Sequence, residues 1–259
     1  MKRIHLFEFE DFSWFPNWLR ISLTRLIIVV HKILGTEKEL EKLLKPLLLN
    51  SELHQIVDLC SGSGGPMPAV VESLYYDNED LRDIKLILTD LYPSLNLAKK
   101  YHTDKQTSFY TKSVDATKVS SSLKGIKTMI CSFHHMTVDN AKKILKSAKD
   151  NNDTICIYEI SDNSFPTILN LFSLPINIIM CLLITPFVRP LTLTQLVFTY
   201  LIPIIPIFYA WDGAVSNART YTLADLDVLL EGLHSDKYKW EKGIIKNKGK
   251  AIYLIGKPV

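Results

Sequence analysis

The chain has 259 residues, enough for one large α/β domain or for one domain with an elaboration. Its 30 Lys and Arg against 27 Asp and Glu leave a formal charge of +3, with no basic run, which argues against a nucleic-acid partner. Hydrophobic residues reach 47% and mean hydropathy is +0.10, a modest average that hides an uneven distribution.

The first residues turn acidic at Glu10 and Asp11 and do not read as a secretory signal. Residues 17–50 read as helical. Trp18, Leu19, Ile21, Leu23, Leu26, Ile27, Val30 and Leu34 form an apolar face, and a second helix from Glu37 places Leu40, Leu43, Leu44, Leu47 and Leu48 at helical spacing. Pro46 is expected to kink or end that helix near Lys45. Residues 1–50 are therefore expected to form an N-terminal helical cap.

Ile56-Val57-Asp58 follows as a short buried strand ending on an acid. The loop Leu59-Cys60-Ser61-Gly62-Ser63-Gly64-Gly65 then leads to a helix opening at Ala69. Small residues in such a loop let a ligand approach the backbone, and the helix N-terminus favours negative charge. A dinucleotide fingerprint fails because Met67 stands where the third Gly belongs. A P-loop fails for want of a Gly-Lys-Ser/Thr ending, and Ser61 in place of Gly breaks a nucleophile elbow.

What remains is D-x-G-x-G-x-G. As Asp58-Leu59-Cys60-Ser61-Gly62-Ser63-Gly64, the loop resembles motif I of the class I S-adenosylmethionine (SAM) dependent methyltransferases, with Cys60 in place of the first Gly. The resemblance extends from about residue 52 to the end. It implies SAM as cofactor, with Asp58, Cys60, Gly62 and Gly64 in the cofactor site. Asp90, after the strand Ile84 to Thr89, would accept from both ribose hydroxyls, which suits a carboxylate with two acceptor oxygens, and Leu91 lies beside it. The stretch from Asp58 to Asp90 is longer than the roughly 20 residues of a minimal βαβ unit, and Tyr75 to Asp83 reads as the extra loop. Asp115 resembles the family's acceptor for the adenine amino group, with Ala116 and Thr117 lining the ring.

Further strands are expected at Phe109 to Ala116, Thr128 to Met136 and Thr154 to Ile160, with a helix over Asp139 to Lys149. Alternating strands and helices argue a doubly wound parallel sheet with ligands over the carboxyl ends of its strands. Ser132, at the end of the fourth strand, falls in the expected cofactor site. The adjacent His134 and His135 are the candidate catalytic pair, because a neutral imidazole can take a proton as a methyl group transfers. No third ligand accompanies them in sequence, which argues against a metal. Glu159 ends the fifth strand on the expected substrate side. Cys60, Cys131, Cys156 and Cys181 form no C-x-x-C pair and read as reduced core cysteines of a cytoplasmic protein.

From Phe165 to Trp211 the only charged residue is Arg189. Ile168 to Phe187 and Leu191 to Tyr209 each approach the ~20 apolar residues of a bilayer-crossing helix, but prolines interrupt both. The expectation is membrane embedding or monotopic attachment, with a soluble apolar cap as the alternative. Asp212-Gly213 marks a turn, and Thr222-Leu223-Ala224-Asp225 a capped helix start. Asp212, Arg219 and Tyr221 are candidates to hold an acceptor's head group, although Arg219 has the alternative of pairing with a core carboxylate. Tyr238 to Lys246 and Ala251 to Gly256 read as a closing hairpin.

The expected fold is thus α/β and Rossmann-like: a doubly wound, mostly parallel sheet with a C-terminal antiparallel hairpin, an N-terminal helical cap and an apolar helical insertion. Its parts are residues 1–50, a core at 51–164, the insertion at 165–211 and the rest of the core at 212–259. The implied activity is methyl transfer to a hydrophobic or lipid-like acceptor at the cytoplasmic side of a membrane, or in the cytoplasm. The rivals are a non-catalytic membrane adaptor, which Cys60 would favour, and an aminopropyltransferase, which the apolar insertion disfavours.

Overall fold

The computed structural model describes residues 1, 3–163 and 167–259, and for 167–171 the backbone alone. The expected boundary at 164/165 lies outside the described residues. Strands β1 (Gln55–Asp58), β2 (Lys85–Leu88), β3 (Thr107–Phe109), β4 (Ile126–Ile130), β5 (Ile155–Glu159), β6 (Tyr238–Lys246) and β7 (Lys250–Pro258) form one seven-stranded sheet. Its order is β3-β2-β1-β4-β5-β7-β6. The first five strands run parallel, and β7 is antiparallel to both β5 and β6. The fold class is the expected one: α/β, doubly wound, mostly parallel with a C-terminal antiparallel pair.

Alternation along each strand divides the core. On one face Val57, Met129, Ile155, Ile157 and Leu254 pack against α5 (Val138–Asp150) and α9 (Leu223–Leu230). On the other, Ile56, Leu86, Cys156 and Tyr158 meet α2 (Thr36–Leu49) and α3 (Met67–Asp77). The short α4 (Leu95–Lys100) adds Leu97 and Ala98 to that second layer. The strand order reverses between β1 and β4, so the loops after these strands open a crevice at the carboxyl edge.

A third cluster lies beyond the sheet. Leu19, Leu23 and Leu26 of α1 (Asn17–Leu34) pack against Cys181 and Ile184 of α6 (Thr167–Ile184) and Ile205 and Tyr209 of α8 (Ile204–Arg219). The N-terminal helix and the apolar insertion therefore build one cap together.

Local expectations fail where tertiary contacts override them. Pro46 does not end α2, which runs on to Leu49; near a helix end the missing N–H removes one bond, and Asn50 Nδ2 donates to the Pro46 carbonyl at 2.8 Å. Asp212-Gly213 is not a turn but the middle of α8. There Asp212 is held by the N-terminal segment, and Gly213 faces Asn177 of α6. The second apolar block is broken into α7 (Leu193–Leu196), a π turn at Val197–Leu201, and α8. By contrast, Thr222 and Asp225 form the expected capping box.

No single helix among the described residues is long and apolar enough to cross a membrane. Leu193–Leu201 and Ile204–Arg219 pass that test only as a pair bent by 82°.

Candidate functional site

The loop after β1 is built on left-handed backbone. Gly62, Gly64 and Gly65 have positive φ, and so has Cys60 at 54°, which is the physical reason a glycine suits that position. Burial and the charges of Asp90, Asp58 and Asp115 push the Cys60 thiol up to about 12, so it stays protonated. Asp58 lies beneath the loop, buried, and accepts from Thr128 Oγ1 at 2.6 Å. Burial pushes its carboxyl up to about 7. It joins β1 to β4.

Asp90 stands at the rim. Its two oxygens accept from the backbone N–H groups of Gly62 at 3.0 Å and Tyr92 at 2.9 Å. Each oxygen keeps a second lone pair for another donor. Leu91 and Tyr92 beside it are exposed apolar surface, 44% and 84%. Asp115 caps a short 3-10 turn through Thr117 N and Oγ1, and those hydrogen bonds hold its carboxyl below the usual range. Ala116 is buried in the sheet core, and Ser132 is buried with no hydrogen-bond partner for its hydroxyl among the described residues.

After β4 the chain turns sharply. Cys131 has φ of 52°, and Phe133–His135 form a 3-10 turn that aims two imidazoles at the N-terminal segment. Glu159 holds His134 with both oxygens, accepting from its backbone N–H at 3.0 Å and meeting its Nδ1 at 2.7 Å. Burial opposes the His134 charge, but the Glu159 and Glu8 carboxylates outweigh it and raise the imidazole's pKa. His135 Nδ1 lies 2.9 Å from Asp11 Oδ1.

Glu8 and Asp11 belong to a strap that crosses this edge ahead of α1. Arg219, buried at 2% exposure, ties it down by reaching Glu8 Oε1 at 3.0 Å and Asp11 Oδ2 at 2.6 Å. Burial would raise the Asp11 carboxyl, but His135 and Arg219 hold it well below the usual range. Asp212 accepts from the backbone N–H groups of Phe9 at 2.8 Å and Glu10 at 3.4 Å.

Behind the strap lies a cavity of about 950 Å³. Its polar end carries Glu8, Glu10, His134, His135, Glu159 and Asp212, and its walls include Leu23, Ile27, Val30, Phe172, Ile176 and Met180.

Of the expected substrate residues, Asp212 and Glu159 reach this cavity, but both are committed to protein partners. Arg219 and Tyr221 are not among its lining residues. Arg219 takes the core-carboxylate alternative, and Tyr221 donates its hydroxyl to the Met136 carbonyl while stacking under Arg3 and against Phe133. In this structure Arg219 thus stands in a buried ion pair and Tyr221 in a core hydrogen bond, both outside the cavity lining. Glu8, Glu10 and Asp11 enter the site without having been singled out for it. Only their acidity among aromatics, in Phe7-Glu8-Phe9-Glu10-Asp11-Phe12, marked the strap.

The chain matches no protein-family model and no curated protein. Solved structures resemble it at low identity. The plantazolicin methyltransferase BpumL, in complex with SAH, is 12% identical with a TM-score of 0.49, covering 91% of this chain and 84% of that one. The methyltransferase domain of bacterial CtHen1-C is 11% identical at 0.49, covering 88% and 98%. A SAM-dependent methyltransferase from Aquifex aeolicus is 12% identical at 0.46, covering 85% and 89%.

Glu10 generates a test of this geometry. Its Oε1 is buried with no hydrogen-bond partner among the described residues, and burial, with the Asp212 and Glu8 charges, raises its carboxyl to about 8. Between its ordinary value of 4.5 and about 8 the folded state binds more protons than the unfolded state, so stability falls as pH rises through that window. Denaturant titrations from pH 5 to 8.5 should show a shallower decline in Glu10→Gln, which should be the more stable protein at pH 8. An unchanged slope would contradict a buried Glu10 carboxyl.

Proposed function

We propose that the chain transfers a methyl group from SAM to a hydrophobic or lipid-like acceptor seated in the cavity. The observation that carries this reading is one juxtaposition. A glycine-rich turn with Asp90 and Asp115 at its rim adjoins the strand end from which His134 and His135 enter an apolar cavity.

In this reading Asp90 takes the ribose hydroxyls through its remaining lone pairs, Asp115 takes the adenine amino group, and exposed Leu91 and buried Ala116 flank the ring. Methyl transfer from a sulfonium depends mainly on in-line placement and exclusion of water. The strap and cap provide both, and the two histidines stand where the acceptor's reacting group would arrive. SAH titrated calorimetrically into the detergent-purified protein should bind at micromolar affinity, and Asp90→Ala should lose that binding. A folded wild type that binds no SAH would favour the adaptor reading, in which Cys60 marks a turn no longer kept for a cofactor.

We further propose that the cap lies on a membrane at its cytoplasmic side. Phe172, Ile176, Ile179 and Leu183 form one exposed stripe on α6, and Phe187, Leu193, Leu201, Ile202 and Ile207 are exposed in the segments that follow. Monomeric soluble proteins seldom leave large apolar patches in water. Phe172 and Ile176 also line the cavity, so its mouth opens where an acyl or polyprenyl chain would enter from the bilayer. The bend after the π turn suits a helix pair lying in the interface.

In flotation with phospholipid vesicles the wild type should rise with the lipid. An Ile176→Glu/Leu183→Glu variant should stay behind while binding SAH as before. Equal flotation of the two proteins would remove the stripe from the account.

A further inference from the structure

We propose that Glu8, His134 and His135 form a binding site for a divalent transition-metal ion at the polar end of the cavity. Each residue offers one ligand atom, and these atoms all lie within 4.8 Å of one another. His134 Nε2 is 3.8 Å from Glu8 Oε1, and His135 Nε2 is 3.8 Å from Glu8 Oε2. Those separations are too long for hydrogen bonds, which fall at about 2.7–3.2 Å. They are close to the spacing of atoms that share an ion. Bonds of about 2.0–2.2 Å put tetrahedral ligands roughly 3.3–3.6 Å apart, so side-chain rotations that draw the widest pair together by roughly 1 Å complete the site.

The surroundings argue for an ion over a simple ion-pair network. Both Nδ1 atoms are already engaged by carboxylates, His134 by Glu159 at 2.7 Å and His135 by Asp11 at 2.9 Å. This is the arrangement that fixes the tautomer and turns a basic Nε2 toward a metal. Among the described residues the buried Nε2 of His134 has no hydrogen-bond partner, and Glu8 Oε1 lacks a hydrogen bond of good geometry despite its proximity to Arg219. Carboxyl groups also crowd this end of the cavity. Glu8, Glu10, Asp11, Glu159 and Asp212 stand at or behind this end of the cavity. Among the described residues, Arg219 is the one Arg or Lys in ion-pair contact with any of them.

Two imidazoles and one carboxylate suit zinc and its neighbours better than magnesium or calcium, which prefer oxygen ligands. All three residues line the cavity, so the position left open faces its contents. There the ion would take a water or an oxygen, nitrogen or sulfur atom of the molecule bound beside it. With the ion in place neither Nε2 is free to act as a base. The acceptor would then meet a Lewis acid instead of an imidazole. The site stands on ligand geometry and holds whether or not SAM is the cofactor.

The test is competitive titration of untagged, chelator-stripped full chain with zinc against a chromophoric chelator, with cobalt absorption as a second readout. One equivalent should bind, and cobalt should give the intense visible bands of a low-symmetry nitrogen and oxygen site. His135→Ala, at a half-buried position that should spare the fold, should weaken zinc at least 100-fold, and Glu8→Gln should do likewise. Glu159→Gln should weaken it about 10–100-fold, the usual effect of losing an orienting carboxylate. No uptake by wild type with native circular dichroism would overturn the site. So would uptake that His135→Ala and Glu8→Gln leave unchanged, since the ion would then be held adventitiously elsewhere. SAH binding without zinc uptake would defeat the metal and leave the transfer reading standing.

Discussion

The buried guanidinium of Arg219 is the contact on which the site depends. Arg219 lies at the end of α8, reaches Glu8 and Asp11 of the strap, and donates to the His135 carbonyl at 3.3 Å. It thereby joins the cap helix, the N-terminal segment and the end of β4 at one point. Breaking such a pair from one side leaves uncompensated buried charge, at a cost of about 3–5 kcal/mol. Arg3 reinforces the junction by donating to the carbonyls of Arg219 at 2.7 Å and His134 at 2.8 Å. With the strap in place, Asp11 and Glu159 hold the two imidazoles from opposite sides. Without it, His135 would lose its carboxylate and the cavity one wall.

α8 links this polar junction to the apolar face. Its first turns carry Ile205 and Tyr209 into the cap core and Ile207 to the surface, while its last turns carry Asp212 and Arg219 to the strap. Hydrophobic packing at one end and charge at the other thus fix a single rigid element. The cavity lies alongside it, greasy near α6 and acidic near β4. That gradient suits an amphipathic molecule whose tail remains among apolar side chains while its head meets the polar residues.

Much of the sheet was legible in the sequence because buried parallel strands leave short β-branched runs ending on acids, as at Ile56-Val57-Asp58 and Ile87-Leu88-Thr89-Asp90. The Thr222 capping box was legible for the same local reason. The third group facing the histidines was not. Glu8 stands far from His134 in sequence, and their meeting depends on Arg219, which is remote from both. Pro46 and Asp212-Gly213 misled in the opposite sense. Both are strong local breakers, but a helix end tolerates the first, and α8 passes through the second because Asp212 is held by Phe9 and Glu10. Composition marked the insertion as apolar. Whether its side chains faced a core or the outside was set by tertiary packing: α8, with Leu19, Leu23 and Leu26 of α1, covers one side of α6 and leaves the other bare.

The central claim is that the glycine-turn crevice and the apolar cavity serve one reaction. The direct measurement supplies methyl-labelled SAM and vesicles of total membrane lipid extract to the purified protein, then counts label in the organic phase. Label should accumulate in the organic phase with time, require enzyme, and disappear in Asp90→Ala. Wild type that binds SAH yet leaves all label in the aqueous phase would contradict a hydrophobic acceptor.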